Sequence, residues 1–347
     1  MMKAAVLQDI EKLEITDLDM PKCEPGGVVI KVQACAVCGT DVKVYHHGHK
    51  HIVPPRVTGH EISGEIVEVG KDVKGSKVGD RVAVAPAVPC GECHYCLAGM
   101  QSMCDNLIAI GYVCDGGFAE YMAVPPVAVR NGCVNLIPEG VSFEEAALAE
   151  PLACTINAAE LTHTGIGQTV VVVGAGPIGC LHIMLSKALG AAKTILIDIS
   201  DDRLEMSKVA EADVVVNAAK GDPIQAVRDA TGGRGAEVVI TACSVGKVQE
   251  QALEMVAKRG YVNFFGGLPK DNPYIKFNSN LLHYGEFYCV GTHGSAPRHN
   301  MLALSLLGAG KIDTSALISH RLPISKLLEG IEITEKAQGL RVIISGA

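Results

Sequence analysis

Tryptophan is absent from this chain, and phenylalanine and tyrosine together make up 4 % of its 347 residues. A ligand pocket built here has few large rings to stack on a substrate. A basic excess is missing as well: 30 Lys and Arg face 38 Asp and Glu, a formal net charge of -8. That balance argues against nucleic acid as a partner, since phosphate recognition wants a cationic face. No run approaches the ~18 to 20 consecutive apolar residues of a membrane-spanning helix. The longest, such as Thr169 to Val173, are of strand length. The opening MMKAAV (Met1 to Val6) lacks the apolar stretch of a secretory signal. A soluble, cytoplasmic protein is the expectation.

What is present can build cores. Apolar residues make up 48 % and charged residues 20 %, a balance that excludes a disordered chain and, at this length, allows two domains. Thirteen cysteines, an odd number, include four inside fifteen residues: Cys90-Gly-Glu-Cys93-His-Tyr-Cys96, then Cys104. Disulfide frameworks belong to short secreted chains. Short Cys-x-x-Cys turns instead deliver four thiolates to one tetrahedral zinc. A closed structural zinc site is therefore expected at Cys90, Cys93, Cys96 and Cys104.

The chain has two grammars. Up to about Glu150, short strand-like runs (Val28 to Val32, Gly64 to Gly70, Asp80 to Val84) alternate with turns such as Pro25-Gly26-Gly27, which predicts an irregular β-barrel. After about Cys154, apolar runs bounded by glycine or polar residues recur at Val170 to Val173, Thr194 to Ile197, Val214 to Val216, Glu237 to Thr241, Tyr261 to Phe265 and Phe287 to Val290. Helix-length amphipathic stretches, Pro177 to Leu189 and Arg203 to Ala210 among them, lie between several of these runs. Six strands alternating with helices predict a doubly wound parallel sheet. The last part holds one more helical stretch near Asn300 to Leu307 and a strand at Arg341 to Ile344, and this tail is expected to return to the first domain.

Gly174-Ala175-Gly176-Pro177-Ile178-Gly179 follows the first of these strands and opens a helix. Gly174 permits the tight turn, Gly176 lets a pyrophosphate approach the backbone, and Gly179 allows close helix–strand packing. The helix N-terminus then offers unpaired N–H groups to phosphate. Asp198 ends the next strand, about twenty residues on, where a carboxylate accepts ribose hydroxyls and repels a 2′-phosphate. NAD is the expected cofactor, with Arg203 placed to lie over the adenine.

Cys38-Gly39-Thr40-Asp41, Gly59-His60-Glu61 with Gly64, Gly70 and Val73, and Glu150-Pro151-Leu152 complete the pattern. In this order, with the four-cysteine loop and the glycine turn, they resemble the zinc-dependent medium-chain alcohol dehydrogenases over essentially the whole chain. Glu150 stands where the alcohol-oxidising branch carries a second cysteine ligand, which resembles the polyol branch, including sorbitol and galactitol 1-phosphate dehydrogenases. The resemblance implies a GroES-like catalytic domain over 1–154 and 294–347 and a Rossmann NAD domain over 155–293. It also implies two Zn²⁺ per subunit, one catalytic and one structural, and a homotetramer. By position, Cys38 and His60 hold the catalytic zinc, with Glu61 and Glu150 as direct or water-bridged ligands and Thr40 accepting the alcohol proton. Lys43 stands where many relatives carry a relay histidine.

The substrate this implies is a small alcohol or polyol, oxidised to a ketone or ketose. For its recognition the chain offers His46-His47-Gly48-His49-Lys50-His51, with His47 foremost, and Tyr45 and Phe118 as pocket-lining rings. Acting with Arg56, the histidine cluster invites reading as a phosphate clamp, which would make the substrate a sugar-alcohol phosphate. Thr292 to Arg298 departs from the sorbitol-specific pattern, so sorbitol itself is not implied. Threonine oxidation is a further alternative, for which the sequence shows no specific carboxylate-binding arginine. A non-catalytic dinucleotide-binding relative would have lost a ligand, whereas Cys38, His60 and Glu150 are all present.

Overall fold

In the computed structural model, which describes residues 1–345, the run VVIKVQACAV forms a ten-residue strand, Val28–Val37, with eight residues buried. Alternating and consecutive apolar positions bury this strand on both faces, and it becomes the axis of a seven-stranded sheet. Glu61–Val69 pairs antiparallel along one side, and Arg341–Ser345, from the far end of the chain, along the other. Arg81–Val84 and Val134–Leu136 extend the sheet beyond Glu61–Val69, Ile318–Pro323 extends it beyond Arg341–Ser345, and Tyr121–Val124 also pairs with the central strand. A three-stranded sheet orders Lys12–Leu18, Met2–Asp9 and Arg56–Val57. Ile30, Ile62, Ile66, Val82, Phe118, Met122 and Val342 share one core. These elements form the first of two units, residues 1–153 with the chain from 294 onward.

Strand register decides which distant residues meet. Ala36 pairs with Glu61 on one side while Val37 pairs with Val342 on the other. Glu61 and Arg341 are thereby brought to the same end of the central strand, beside Cys38, although 280 positions separate them.

The cysteine loop has little apolar support of its own. A four-residue helix, His94–Leu97, and a 3₁₀ turn, Gln101–Met103, are its regular structure, and Tyr95, Leu97, Met100 and Met103 are all exposed.

Residues 154–293 form the second unit. Its six strands run parallel in the order Val214–Asn217, Lys193–Asp198, Thr169–Val173, Ala236–Thr241, Val256–Phe264 and Tyr288–Gly291. The central strand is buried on both faces, as its unbroken valines require. Helix Pro177–Ala188 follows the first strand. The helical run read as Arg203 to Ala210 begins two residues earlier, at Asp201, because Ser200 caps it by accepting from the Arg203 N–H at 3.3 Å. It ends in a 3₁₀ turn over Ser207–Ala210. Among the described residues no helix is long and apolar enough to cross a membrane.

Candidate functional site

Cys38 sits where the central strand ends and helix Gly39–His47 begins. Its N–H donates to the Asp41 carboxylate at 2.8 Å, and the Asp41 N–H returns to the Cys38 carbonyl at 2.9 Å. This reciprocal cap fixes the sulfur at a helix N-terminus, where a thiolate is favoured. Thr40 Oγ1 lies 3.7 Å from Cys38 Sγ.

His60 and Glu61 lead into the neighbouring strand, and both are buried. Gly59 makes that entry possible. Its φ is +91°, and a Cβ there would stand 2.8 Å from Cys35 Sγ and 2.9 Å from the Phe118 ring, closer than a side chain permits. Phe118 is thus a core ring that supports the His60 turn, 1 % exposed.

The donor atoms of Cys38, His60 and Glu61 all lie within 4.8 Å of one another. Asp41 Oδ1 stands 3.6 Å from His60 Nδ1, and Arg341 Nη1 donates to Glu61 Oε1 at 2.8 Å and to the Val37 carbonyl at 3.3 Å. Two buried polar atoms of this set, His60 Nδ1 and Glu61 Oε2, have no hydrogen-bond partner. Leaving such groups bare costs about 1–3 kcal/mol each. A soft thiolate, an imidazole and a carboxylate fit Zn²⁺, so the set suits the metal the sequence implies.

Ionisation follows the same geometry. Burial opposes charge on the Cys38 thiol, but the hydrogen bond and charge of His60, then Arg341, overcome it and bring the thiol down to about 7. Burial works against the charged form of His60 too, yet Asp41 and Cys38 raise its pKa well above the ordinary value. Burial pushes the Glu61 carboxyl well up, while Arg341 opposes it and the Cys38 and Glu150 charges add to it. Glu150, in the first turn of helix Ala149–Leu161, is not a member of the three-residue donor set but acts on it through its charge.

The remaining residues singled out near this motif lie elsewhere in the unit. Tyr45 is half-buried, donates its hydroxyl to the Glu11 carbonyl at 3.1 Å and packs on the small core of Leu7, Val44 and Ile52. His47 is exposed at the far end of the nine-residue helix, about 13 Å along its axis from Cys38. Arg56 donates through Nη1 to the Asp115 carboxylate at 3.0 Å. Asp41, Arg341 and Tyr112 belong to the site without having been picked from sequence. Tyr112 places its ring 5.7 Å from that of His60.

In the cysteine loop the four Sγ atoms lie within 4.8 Å of one another. Cys93 and Cys104 are 3.8 Å apart, Cys90 and Cys96 4.0 Å. Four thiolates held ~2.3 Å from one centre stand about 3.8 Å apart along tetrahedral edges, whereas a disulfide needs ~2.05 Å. The N–H groups of Glu92 and Cys93 pull the Cys90 thiol down to about 6, while burial pushes Cys96 up to about 12. Four sulfurs clustered this tightly, two of them buried, suit a cation, and with four donors the shell is closed.

In the second unit, Gly174 takes φ +118° at the end of its strand, and Gly176 caps helix Pro177–Ala188, with Pro177 and Ile178 in its first turn. Asp198 is locked in place: Oδ2 accepts from the Ala175 N–H at 2.7 Å, and Oδ1 from Ile199 and Ser200 at 2.7 and 3.0 Å. Arg203 is half-buried and feels the Asp198 charge. The glycine turn and the acid thus form one prearranged unit. A Cβ on Gly179 would fall on the Gly174 carbonyl oxygen. Gly179→Ala is therefore expected to cost about 3 kcal/mol of stability and to weaken binding of a reduced nicotinamide dinucleotide about tenfold or more, measured by thermal melting and fluorescence titration.

Comparison with known proteins agrees with both halves. Residues 24–134 match the alcohol dehydrogenase GroES-like domain, and residues 177–307 match the zinc-binding dehydrogenase family. The L-threonine 3-dehydrogenase of Pyrococcus abyssi is 37 % identical over 89 % of this chain and 87 % of its own. The sorbitol dehydrogenase of Bacillus subtilis is 32 % identical over 99 % and 97 %. Among solved structures, a zinc-binding dehydrogenase from Sinorhizobium meliloti 1021 bound to NADP superposes with a TM-score of 0.92, at 29 % identity over 99 % of both chains.

Proposed function

The chain belongs to the zinc-binding dehydrogenases with a GroES-like alcohol dehydrogenase domain, and from that premise we propose that it oxidises a secondary alcohol of a polyol, with NAD as hydride acceptor. The observation that carries this reading is the Cys38, His60 and Glu61 donor set, with its two buried, unpartnered atoms on His60 and Glu61. These residues, with Glu150 acting on them through its charge, would hold a zinc that would lend Lewis acidity to the substrate hydroxyl, with NAD as the hydride acceptor. The balance is one alcohol and NAD⁺ giving one ketone, NADH and a proton.

The chain's own groups do the positioning. Asp41 orients the His60 ring, and Arg341 holds Glu61 by one oxygen while leaving the other free. Thr40, beside the Cys38 sulfur, receives the hydroxyl proton and passes it outward, without a histidine at position 43. Arg341 already grips Glu61 and the Val37 carbonyl, which favours a neutral polyol over a substrate bringing a carboxylate. Arg56, paired with Asp115, disfavours a phosphorylated one. The four-cysteine loop would hold a second, structural zinc, and the assembly this reading carries is a homotetramer.

Threonine is the second reading, favoured by the 37 % identity to a threonine dehydrogenase. Initial rates of NADH formation by the zinc-loaded protein on xylitol, sorbitol, galactitol 1-phosphate and L-threonine separate the readings. A free polyol is expected to lead. A hundredfold advantage for the phosphate or for threonine would replace the polyol assignment.

NAD rests on Asp198. Like charges about 4 Å apart repel by about 4 kcal/mol at an effective dielectric near 20, and solvent screening leaves part of that. NAD is expected to exceed NADP in kcat/KM about a hundredfold, with Asp198→Asn narrowing the gap tenfold or more. Equal use of the two by the unaltered protein would remove the assignment.

A further inference from the structure

Phe118 is a core ring and Tyr45 is tied to Glu11, so the rings read from sequence leave open which aromatic group faces the Cys38, His60 and Glu61 site. The structure supplies one. Tyr112 is half-buried, with its ring 5.7 Å from that of His60, tilted by 56°, and 5.0 Å from that of His49, edge-on at 78°.

The turn carrying it is docked on the turn carrying His60. Gly111 lies so close that a Cβ there would stand 2.7 Å from the Gly59 carbonyl. The Gly111 N–H donates to the Cys114 carbonyl at 2.9 Å, and the Tyr112 N–H to the Ala109 carbonyl at 3.2 Å. Neighbouring hydrogen bonds, from Gly117 N–H to the Gly59 carbonyl and from Phe118 N–H to the Thr58 carbonyl, at 3.0 Å each, clamp the two segments together. The ring is thereby placed by backbone packing, which is what a recognition group requires.

Its hydroxyl can both donate and accept a hydrogen bond.

We propose that Tyr112 is a specificity-determining residue whose hydroxyl binds a substrate hydroxyl next to the carbon being oxidised, so that the site prefers vicinal polyols to simple secondary alcohols. This rests on the polyol-dehydrogenase reading above. A neutral phenol–alcohol hydrogen bond contributes about 0.5–1.5 kcal/mol, which sets the expected effect at up to about tenfold.

The test uses zinc-loaded, full-length protein and two five-carbon alcohols, xylitol and 2-pentanol, which share a secondary hydroxyl at C2 but differ in its neighbours. For Tyr112→Phe, kcat/KM on xylitol is expected to fall about tenfold, carried mainly by KM, while 2-pentanol changes less than twofold. The xylitol Kd from calorimetry is expected to rise by a similar factor, with zinc content and melting temperature unchanged. Tyr112→Val, which also removes the ring, is expected to lower xylitol turnover at least as far. An equal fall on both alcohols, or no change on either, overturns the inference while leaving the dehydrogenase reading standing. An unaltered protein that oxidises other alcohols but neither binds nor oxidises xylitol overturns the polyol reading and the inference together.

Discussion

Cys38→Ser is expected to lower kcat/KM on the best alcohol substrate about a thousandfold or more, with one zinc lost per chain and the fold retained. The expectation rests on the role of the sulfur. It is the one soft donor of its set, its ionisation is favoured by His60 and Arg341, and it stands at a helix N-terminus. A serine hydroxyl in the same place stays protonated near neutral pH and is a poor zinc ligand. Lewis acidity supplies several kcal/mol to reactions of this type, and three decades of rate correspond to about 4 kcal/mol. Steady-state kinetics with zinc analysis and circular dichroism check it. Undiminished turnover, or a full complement of zinc, would remove Cys38 from the site.

Cys93→Ser is expected to act on structure instead of on chemistry. Tyr95, Leu97, Met100 and Met103 are exposed, and regular structure in the loop is limited to two short turns. A segment without a core draws its order from the four thiolates and what they bind, as in small zinc modules, where metal and fold are lost together. With three donors left, residues 90–104 are expected to open locally. Proteolytic cleavage within them should rise about a hundredfold, read by mass spectrometry, and the melting temperature should fall by several degrees. The Cys38 site should keep its metal. Wild-type resistance to cleavage would mean that the loop is held by protein contacts alone.

The two variants differ in the way their sites were legible in the chain. The four cysteines and the Gly174 to Gly179 turn are local patterns, in which each residue is placed by neighbours within one or two turns, and sequence spacing carries that kind of information. The strands of the second unit were readable for a similar reason: a parallel sheet buried on both faces forces unbroken apolar runs such as Val170 to Val173.

Arg341 was not legible as part of a site. An arginine opening an otherwise apolar strand was the available signal, but its place beside Glu61 depends on a strand pairing across 280 positions. Asp41 stood within a quoted motif, yet its contact with His60 appears only once the helix cap and the neighbouring strand are both in place. Phe118 and Tyr112 illustrate the hardest case. Both are aromatic residues after the cysteine loop, six positions apart. One fills the space that Gly59 leaves empty, while the other faces His60. Nothing in composition distinguishes them, because the difference arises from how two turns dock.

The central claim is that this chain gathers two metal sites, a closed one of four cysteines and an open one of Cys38, His60 and Glu61. Its most direct test is an anomalous difference map, recorded at the zinc absorption edge, from crystals of the zinc-loaded protein. Two peaks per chain are expected, one at the centre of Cys90, Cys93, Cys96 and Cys104, and one within bonding distance of Cys38 Sγ and the His60 ring. A fully loaded protein with no peak at Cys38 and His60 would contradict the account.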